Sequence, residues 1–316
     1  RISWSDVWPD IPGRRSTRTY DIFKPMSRYI LFTDLDGCLL DNDTYSFDEA
    51  RPALDALRAE NIPVIIVSGK TRAEIEPLRE RLDHHDPFIA ENGAAVFVPL
   101  NTFDFPLERS RRRSGYQIIE LGTPYALLRD VLRQIEEAVG TPLRGFGDLS
   151  VDEVMANTGL AREDALRAML REFDEPFLVS GPPKLIEEVC RQIVTRGLNW
   201  TRGGRFFHLT GNNDKGRAAE ILLRCYKRQE RLANLPDDIE TIGIGDSLND
   251  LPLLLTGDHP VLVQKQDGSY DPDINLPNLI RAPGIGPAGW NQAVLELLKQ
   301  ASEEPSHGRS VNIQAT

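Results

Sequence analysis

The stretch Tyr29-Ile30-Leu31-Phe32-Thr33-Asp34-Leu35-Asp36-Gly37 constrains this chain more than any other. Five aromatic, apolar or β-branched residues have the composition of a strand buried on both faces, and the run breaks at two aspartates two positions apart. An apolar interior rejects unpaired charge, so carboxylates at that strand end need a cation, a ligand or solvent beside them. In open α/β sheets the carboxyl ends of strands are also where ligands bind. If the chain stays extended, Asp34 and Asp36 share one face, and Gly37 permits a sharp turn that can leave consecutive N–H groups pointing at an anion. One carboxylate can then attack phosphorus while the other handles a proton and a divalent ion bridges the charges. The plainer alternative is an acidic turn after a buried strand, with Asp36 capping Gly37.

The pattern recurs along the chain. Ser46-Phe47-Asp48-Glu49 reads as a capping box ahead of Ala50, Ala53, Leu54 and Leu57 at helical spacing. Pro63 to Val67 is a second buried strand, ending at Ser68-Gly69-Lys70. Thr71-Arg72-Ala73-Glu74 is another capping box, followed by the stripe Ile75, Leu78 and Leu82. Strand, helix, strand, helix implies parallel pairing with right-handed crossovers. Phe88-Ile89-Ala90 and Ala95 to Val98 flank Asn92-Gly93, a hairpin signal. Further on, Asp214-Lys215-Gly216-Arg217 opens a helix. Ile239 to Ile244 is a buried strand that again ends in acid, at Gly245-Asp246-Ser247-Leu248-Asn249-Asp250. A helix from Pro252, a last strand Val261 to Val263 and a terminal helix Ala293 to Leu298 complete this half.

Between the two halves the composition shifts. Residues 100–117 hold Pro106, Gly115 and the arginines 109, 111, 112 and 113, which reads as a boundary loop. The spacing then predicts a helix from Pro124, a shorter one at Ser150-Val151-Asp152-Glu153, and a longer one through Ala165 and Met169 to about Phe173. A strand at Phe177 to Val179, a helix from Leu185 to Val194, and strands Leu198 to Arg202 and Arg205 to Leu209 around Gly203-Gly204 follow. The expected organisation is an N-terminal extension (residues 1–27), a core (28–99 and 212–300), an inserted α+β domain (100–211) and a polar tail (301–316).

Composition limits the function classes. A length of 316 residues with 40% hydrophobic content suits two ordinary cores. A net charge of −11 provides no global field for nucleic acid or an anionic membrane, so an anionic small molecule would need locally arranged cations. Cys38, Cys190 and Cys225 are scattered, without zinc or disulfide spacing, which points to a reducing compartment. With no transmembrane-length apolar run and no signal-peptide h-region, the expected location is the cytoplasm.

Parallel pairing would bring three strand ends to one edge: Asp34 and Asp36, Ser68, and Asp246 with Asp250. Lys215 joins them from a helix start. Taken singly, Lys215 is an ordinary surface lysine, Ser68 a turn residue, and Asp246 with Asp250 a helix N-terminal cluster. Together they suit phosphoryl transfer, with carboxylates holding Mg²⁺ and supplying a nucleophile, and with Lys215, Ser68 and backbone N–H groups facing the phosphoryl oxygens.

The four segments Asp34-Leu35-Asp36-Gly37, Ser68-Gly69, Lys215 and Gly245-Asp246-Ser247-Leu248-Asn249-Asp250 resemble, in order and spacing, the motifs of the haloacid-dehalogenase-like (HAD) phosphohydrolases. The resemblance implies an α/β fold: a Rossmann-like parallel-sheet core with a type-2 (C2B) cap inserted between the second and third motifs. Within that superfamily the chain most resembles the mannosyl-3-phosphoglycerate phosphatase family. That likeness rests on Glu91-Asn92-Gly93-Ala94, Thr158-Gly159-Leu160, Arg171 to Phe177, and Gly203 to Leu209. Two positions depart from the pattern: Cys38 stands where the superfamily usually has Thr, and Asp174 where the family often has Ser.

The resemblance implies that Asp34 is the nucleophile, forming an aspartyl-phosphate, and that Asp36 is the general acid and then the base. It implies that Ser68, Gly69 and Lys215 bind phosphate. Mg²⁺ would be held by Asp34, the carbonyl of Asp36 and Asp246, with Asp250 ligating through water or orienting Lys215. The expected partner is a phosphorylated sugar or glycosyl-phosphoglycerate, with neither nucleic acid nor membrane involved. Its carboxylate would need a cation from the cap, where Arg171, Lys184, Arg202 and Arg205 are available and arginine has the better geometry. Alternatively those arginines pair with Glu172, Asp174 or Glu175 and hold the cap together. A phosphosugar mutase and a non-catalytic sugar-phosphate sensor are the competing readings.

Overall fold

In a computed structural model the chain is described over residues 29–203 and 206–303; residues 1–28, Gly204, Arg205 and 304–316 lie outside the described residues. So do the N-terminal extension and most of the polar tail expected from sequence.

The first half contains β1 (Tyr29–Thr33), α1 (Arg51–Ala59), β2 (Val64–Val67), α2 (Arg72–Leu82), β3 (Phe88–Ala90), β4 (Ala95–Pro99), β5 (Ser110–Arg113) and β6 (Tyr116–Glu120). The inserted part contains α3 (Tyr125–Val139), β7 (Arg144–Gly145), α4 (Val151–Thr158), α5 (Arg162–Ala168), β8 (Asp174–Leu178), α6 (Pro183–Thr195), β9 (Asn199–Gly203) and β10 (Phe206–Thr210). The chain then returns through α7 (Lys215–Leu232), β11 (Glu240–Gly245), α8 (Leu251–Thr256), β12 (His259–Gln264), β13 (Ile280–Ile285) and α9 (Gly286–Glu303).

Nine strands form one sheet in the order β13-β12-β11-β1-β2-β3-β4-β6-β5, parallel from β13 to β3 and antiparallel beyond. β1 lies between β11 and β2, with Thr33 opposite Ile244 and Ile66, so the three acid- or hydroxyl-bearing strand ends are neighbours. Helices cover both faces, which is why β1, β2 and β11 read as unbroken apolar runs: separate buried clusters sit on the two sides. Four antiparallel strands in the order β7-β8-β10-β9 form a second sheet, packed on α3 and α6 around Phe177, Phe207 and Leu209. The architecture is the α/β core with an α+β insertion. No helix among the described residues is long and apolar enough to cross a membrane.

Several local expectations need correction. Residues 100–117 are not simply a boundary loop: β5 and β6 form a hairpin that extends the main sheet, so the second sheet's unit begins only after Glu120. The three exposed arginines of β5 hid it, because charge on an edge strand guards against edge pairing and erases the apolar signal. The Ser46 capping box does not form. Ser46 pairs with Asp48 instead, and buried Phe47 leads into a short 3₁₀ turn before α1. The helix expected to reach Phe173 stops at Ala168, because the N–H groups of Glu172 and Phe173 are captured by the Glu91 carboxylate at 2.9 and 2.8 Å. β13, with its Pro283 and Gly284, was not anticipated. The capping boxes at Thr71 and Ser150 form as read.

Candidate active site

Asp34 is the first residue past β1, and its N–H donates to Ile244 O of β11 at 2.9 Å. Its backbone is tied from a distant element as well. Fully buried Trp290 of α9 donates from Nε1 to Thr33 Oγ1 at 2.9 Å, and that hydroxyl donates to the Asp34 carbonyl at 2.7 Å. The turn that follows uses positive φ at Gly37 (74°), where an added Cβ would lie 3.1 Å from Asp246 Oδ2. Glycine therefore serves both the turn and the approach of two acidic loops. The turn uses its own donors internally, Gly37 N–H to Leu40 O and Cys38 N–H to Leu35 O. The N–H groups of Leu35 and Asp36 make no hydrogen bond among the described residues, which leaves these two donors uncommitted, earlier in the turn than Gly37 suggested.

Lys215, at the first position of α7 and 1% exposed, reaches Asp34 Oδ1 at 2.7 Å and Asp250 Oδ1 at 2.6 Å. Asp214 caps the helix by accepting from Arg217 N–H at 2.8 Å, which sets where the lysine side chain starts. Both Asp250 oxygens are occupied, because Oδ2 accepts from the N–H groups of Asp246 and Ser247 at 3.1 and 3.2 Å. That arrangement orients Lys215 and shapes the loop bearing Asp246. Burial opposes the Lys215 charge, yet Asp250 and Asp34 hold it above the ordinary lysine value. Burial also pushes Asp34 up to about 8; Lys215 pulls the other way, and Asp250 and Asp36 add to the rise. Burial and Asp250 push Asp246 up to about 6. One ammonium among these carboxylates leaves excess negative charge.

That excess marks where a cation fits. Asp34, Asp246 and Cys38 each offer a ligand atom, all within 4.8 Å of one another. The Asp36 carbonyl accepts no hydrogen bond among the described residues. Carboxylate and carbonyl oxygens suit a hard divalent ion, whereas the thiol is a soft donor. Burial and the surrounding carboxylates hold the Cys38 thiol well above its usual value, so it stays protonated.

Asp36 leans away from this cluster. Its Oδ2 pairs with Lys70 Nζ at 3.0 Å, while Oδ1 is buried without a partner. Lys70 also sits over the Tyr45 ring, 4.8 Å from its centroid. Ser68 is buried at the end of β2, and its Oγ accepts from Lys70 N–H at 3.1 Å. Gly69 abuts the Asn92 amide, which a Cβ would approach to 3.1 Å.

Asp34, Asp36, Ser68, Gly69 and Asp246 line a single cleft of about 570 Å³, whose far wall comes from the inserted sheet. Arg171 and Arg202 both border it, on different terms. Arg171 is buried and committed: Nη1 donates to Gly69 O at 2.8 Å and Asp174 Oδ2 at 3.2 Å, and Nε to Ala168 O at 2.9 Å. Arg202 is exposed, stacks over Phe207 at 5.2 Å and has no ion pair among the described residues. Lys184 is exposed in the first turn of α6, outside the cleft lining, and Arg205 lies outside the described residues. Residues not singled out as site candidates from sequence also line the cleft, notably Lys70, Asn92, Thr201 and His208. Lys70 adjoins Ser68-Gly69, a signal that was available. His208 lies in an ordinary apolar strand and gave none.

A family model described as haloacid dehalogenase-like hydrolase matches residues 31–105. The chain is 46% identical over 271 residues to a glucosyl-3-phosphoglycerate/mannosyl-3-phosphoglycerate phosphatase of Methanococcoides burtonii, covering 86% of this chain and 97% of that one. It is 35% identical over 234 residues to a mannosyl-3-phosphoglycerate phosphatase of Pyrococcus horikoshii, covering 74% and 90%. Among solved structures, a Thermoplasma acidophilum protein superposes with a TM-score of 0.57 at 17% identity, over 87% of this chain and 99% of that one. The sucrose-phosphatase of Synechocystis, solved with sucrose and phosphate, superposes with a TM-score of 0.52 at 15% identity, over 88% and 99%.

Proposed function

The chain belongs to the haloacid dehalogenase-like hydrolases and is a phosphatase of that kind, and we propose that it releases phosphate from glucosyl- or mannosyl-3-phosphoglycerate through an aspartyl-phosphate on Asp34. The observation that carries this reading is the cleft itself. Its floor holds Asp34, bridged by buried Lys215 to Asp250 beneath, and its opposite wall presents an uncommitted arginine, Arg202, to whatever the phosphate carries. The Methanococcoides relative named for both substrates aligns over 86% of this chain and 97% of its own.

Lys215 holds Asp34 Oδ1, so the carboxylate is fixed in rotation with its other oxygen free to attack phosphorus. Ser68 and the N–H groups of Leu35 and Asp36 face the phosphoryl oxygens and stabilise the charge that spreads over them. Asp36, with Oδ1 unpartnered, donates a proton to the leaving glycerate oxygen and later takes one from the water that cleaves the aspartyl-phosphate. Asp34, Asp246 and the Asp36 carbonyl would hold Mg²⁺, which when bound offsets the excess carboxylate and phosphoryl charge. Arg202 pairs with the glycerate carboxylate.

The test is phosphate release from a panel of phosphomonoesters including both glycosyl-3-phosphoglycerates, with Mg²⁺ and with excess chelator. The expected result is Mg²⁺-dependent turnover that is fastest on one of these two. Faster turnover of an unrelated sugar phosphate would overturn the substrate, and full turnover in chelator would overturn the metal.

A further inference from the structure

The wall of the inserted sheet carries a side-chain arrangement that the phosphate chemistry does not use. Asp174, at the start of β8, is fully buried and accepts from His208 Nδ1 at 2.8 Å and Arg171 Nη1 at 3.2 Å through the same oxygen, Oδ2. Burial pushes the Asp174 carboxyl up, and His208 and Arg171 more than offset it, so it stays below the usual carboxylate range. It is an ionised acceptor, and the hydrogen on this bond therefore belongs to His208 Nδ1. That leaves Nε2 as the ring nitrogen available to a ligand. The His208 side chain is 22% exposed and borders the cleft.

The register supplies a neighbour. His208 of β10 lies directly opposite Thr201 of β9, so the two side chains share one face of the sheet. Thr201 is exposed on the same cleft, and its hydroxyl makes no hydrogen bond among the described residues. An imidazole Nε2 held in place through Nδ1 by a buried carboxylate, beside a free hydroxyl that can donate or accept, matches an alcohol, which can itself donate or accept.

We propose that His208, oriented by Asp174 and assisted by Thr201, reads a hydroxyl of the organic group that the phosphate carries, and so sets substrate choice from the cap side. The proposal rests on the reading of the cleft as a phosphomonoester site. It also gives Arg171 a positioning role: by pinning Asp174 to the Gly69 carbonyl it ties the hydroxyl-reading face to the phosphate floor.

Two substitutions separate recognition from support. His208→Asn places an amide nitrogen near the position of Nδ1, so the bond to Asp174 persists while nothing reaches into the cleft. His208→Ala removes both. The measurement is the ratio of kcat/KM on the best hydroxyl-bearing substrate of the wild-type protein to kcat/KM on p-nitrophenyl phosphate, which has no hydroxyl. A lost hydrogen bond that leaves a substrate group unpaired predicts a fall in that ratio of about tenfold in both variants, carried mainly by KM. Wild-type discrimination in His208→Asn, or equal losses on both substrates, overturns the proposal. Because the hydroxyl-bearing substrate is whichever the wild-type protein prefers, the result stands even where the glycosyl-3-phosphoglycerate assignment fails. That failure would show separately, as poor wild-type turnover of both compounds.

Discussion

The ammonium of Lys215 lies 2.7 Å from Oδ1 of Asp34, although 181 residues separate the two in sequence. The whole inserted sheet lies between them in the chain, yet β1 and the start of α7 meet under the cleft. The same lysine takes Asp250 Oδ1 at 2.6 Å, so one buried cation serves two buried acids.

Removing that cation should cost stability. Lys215→Met leaves Asp34 and Asp250 buried without their counter-charge, and breaking a buried pair costs about 3–5 kcal/mol. Urea unfolding monitored by circular dichroism would read this, and a variant as stable as the wild type would contradict the bridge. Mg²⁺ should restore part of the loss, because it supplies charge to the same carboxylates.

Asp34→Asn should separate fold from chemistry. The substitution keeps shape and relieves repulsion from Asp250 and Asp36, so the melting temperature should hold or rise. Without the proposed nucleophile the enzyme should lose about 10⁴-fold or more in kcat. Asp36→Asn should lose less, about 10²- to 10⁴-fold, since it removes only the proposed general acid and base assistance. Steady-state phosphate release on purified variants checks both.

Metal affinity should depend on pH in a defined window. Without a cation, Asp246 is pushed up to about 6 and Asp34 up to about 8, and each must ionise to bind a divalent ion. Mg²⁺ affinity should therefore climb as pH rises from about 6 to 8, with proton release on binding. Calorimetry in two buffers of different ionisation enthalpy measures this directly. A pH-independent affinity with no proton release would contradict the shifts.

His84 should make the fold acid-labile. Arg79 Nε donates to His84 Nδ1 at 3.0 Å, so the ring's hydrogen sits on Nε2 and points at the Val64 carbonyl. Burial, with Arg79 alongside, lowers its folded-state value from 6.5 to about 3. Between those values the unfolded chain binds a proton that the native state does not, so stability is intact above 6.5 and falls as pH drops towards 3. The slope contributed is up to about 1.4 kcal/mol per pH unit. Urea midpoints from pH 7.5 to 4.5 should decline in the wild type and decline less steeply in His84→Gln.

Arg171 and Arg202 should behave differently despite sharing a cleft. Arg202→Ala should raise KM for a carboxylate-bearing substrate several-fold more than for p-nitrophenyl phosphate, because its guanidinium makes no ion pair in the described residues. Arg171→Ala should lower stability and impair both substrates together, since it holds Asp174 and Gly69. The ratio of kcat/KM on the two substrates separates them.

The strand ends that meet at the cleft floor were legible in the amino-acid order because their physics is local. A strand buried on both faces must be an apolar run, a carboxylate at its end must be exceptional, and both regularities recur at Asp34 and at Asp246. Parallel order and right-handed crossovers then require the strand ends to meet. Other decisions depended on contacts that no local pattern encodes. β5 has no buried apolar residue of its own and is held by pairing with β6, which buries Ile118 and Ile119 in the core and pairs with β4. The helix ending at Ala168 is cut short by a carboxylate about eighty positions earlier, Glu91. The three cap arginines look alike in sequence. Packing commits Arg171 to Asp174 and leaves Arg202 open, because whether a charged side chain is committed or available depends on which partners lie within hydrogen-bond reach in space.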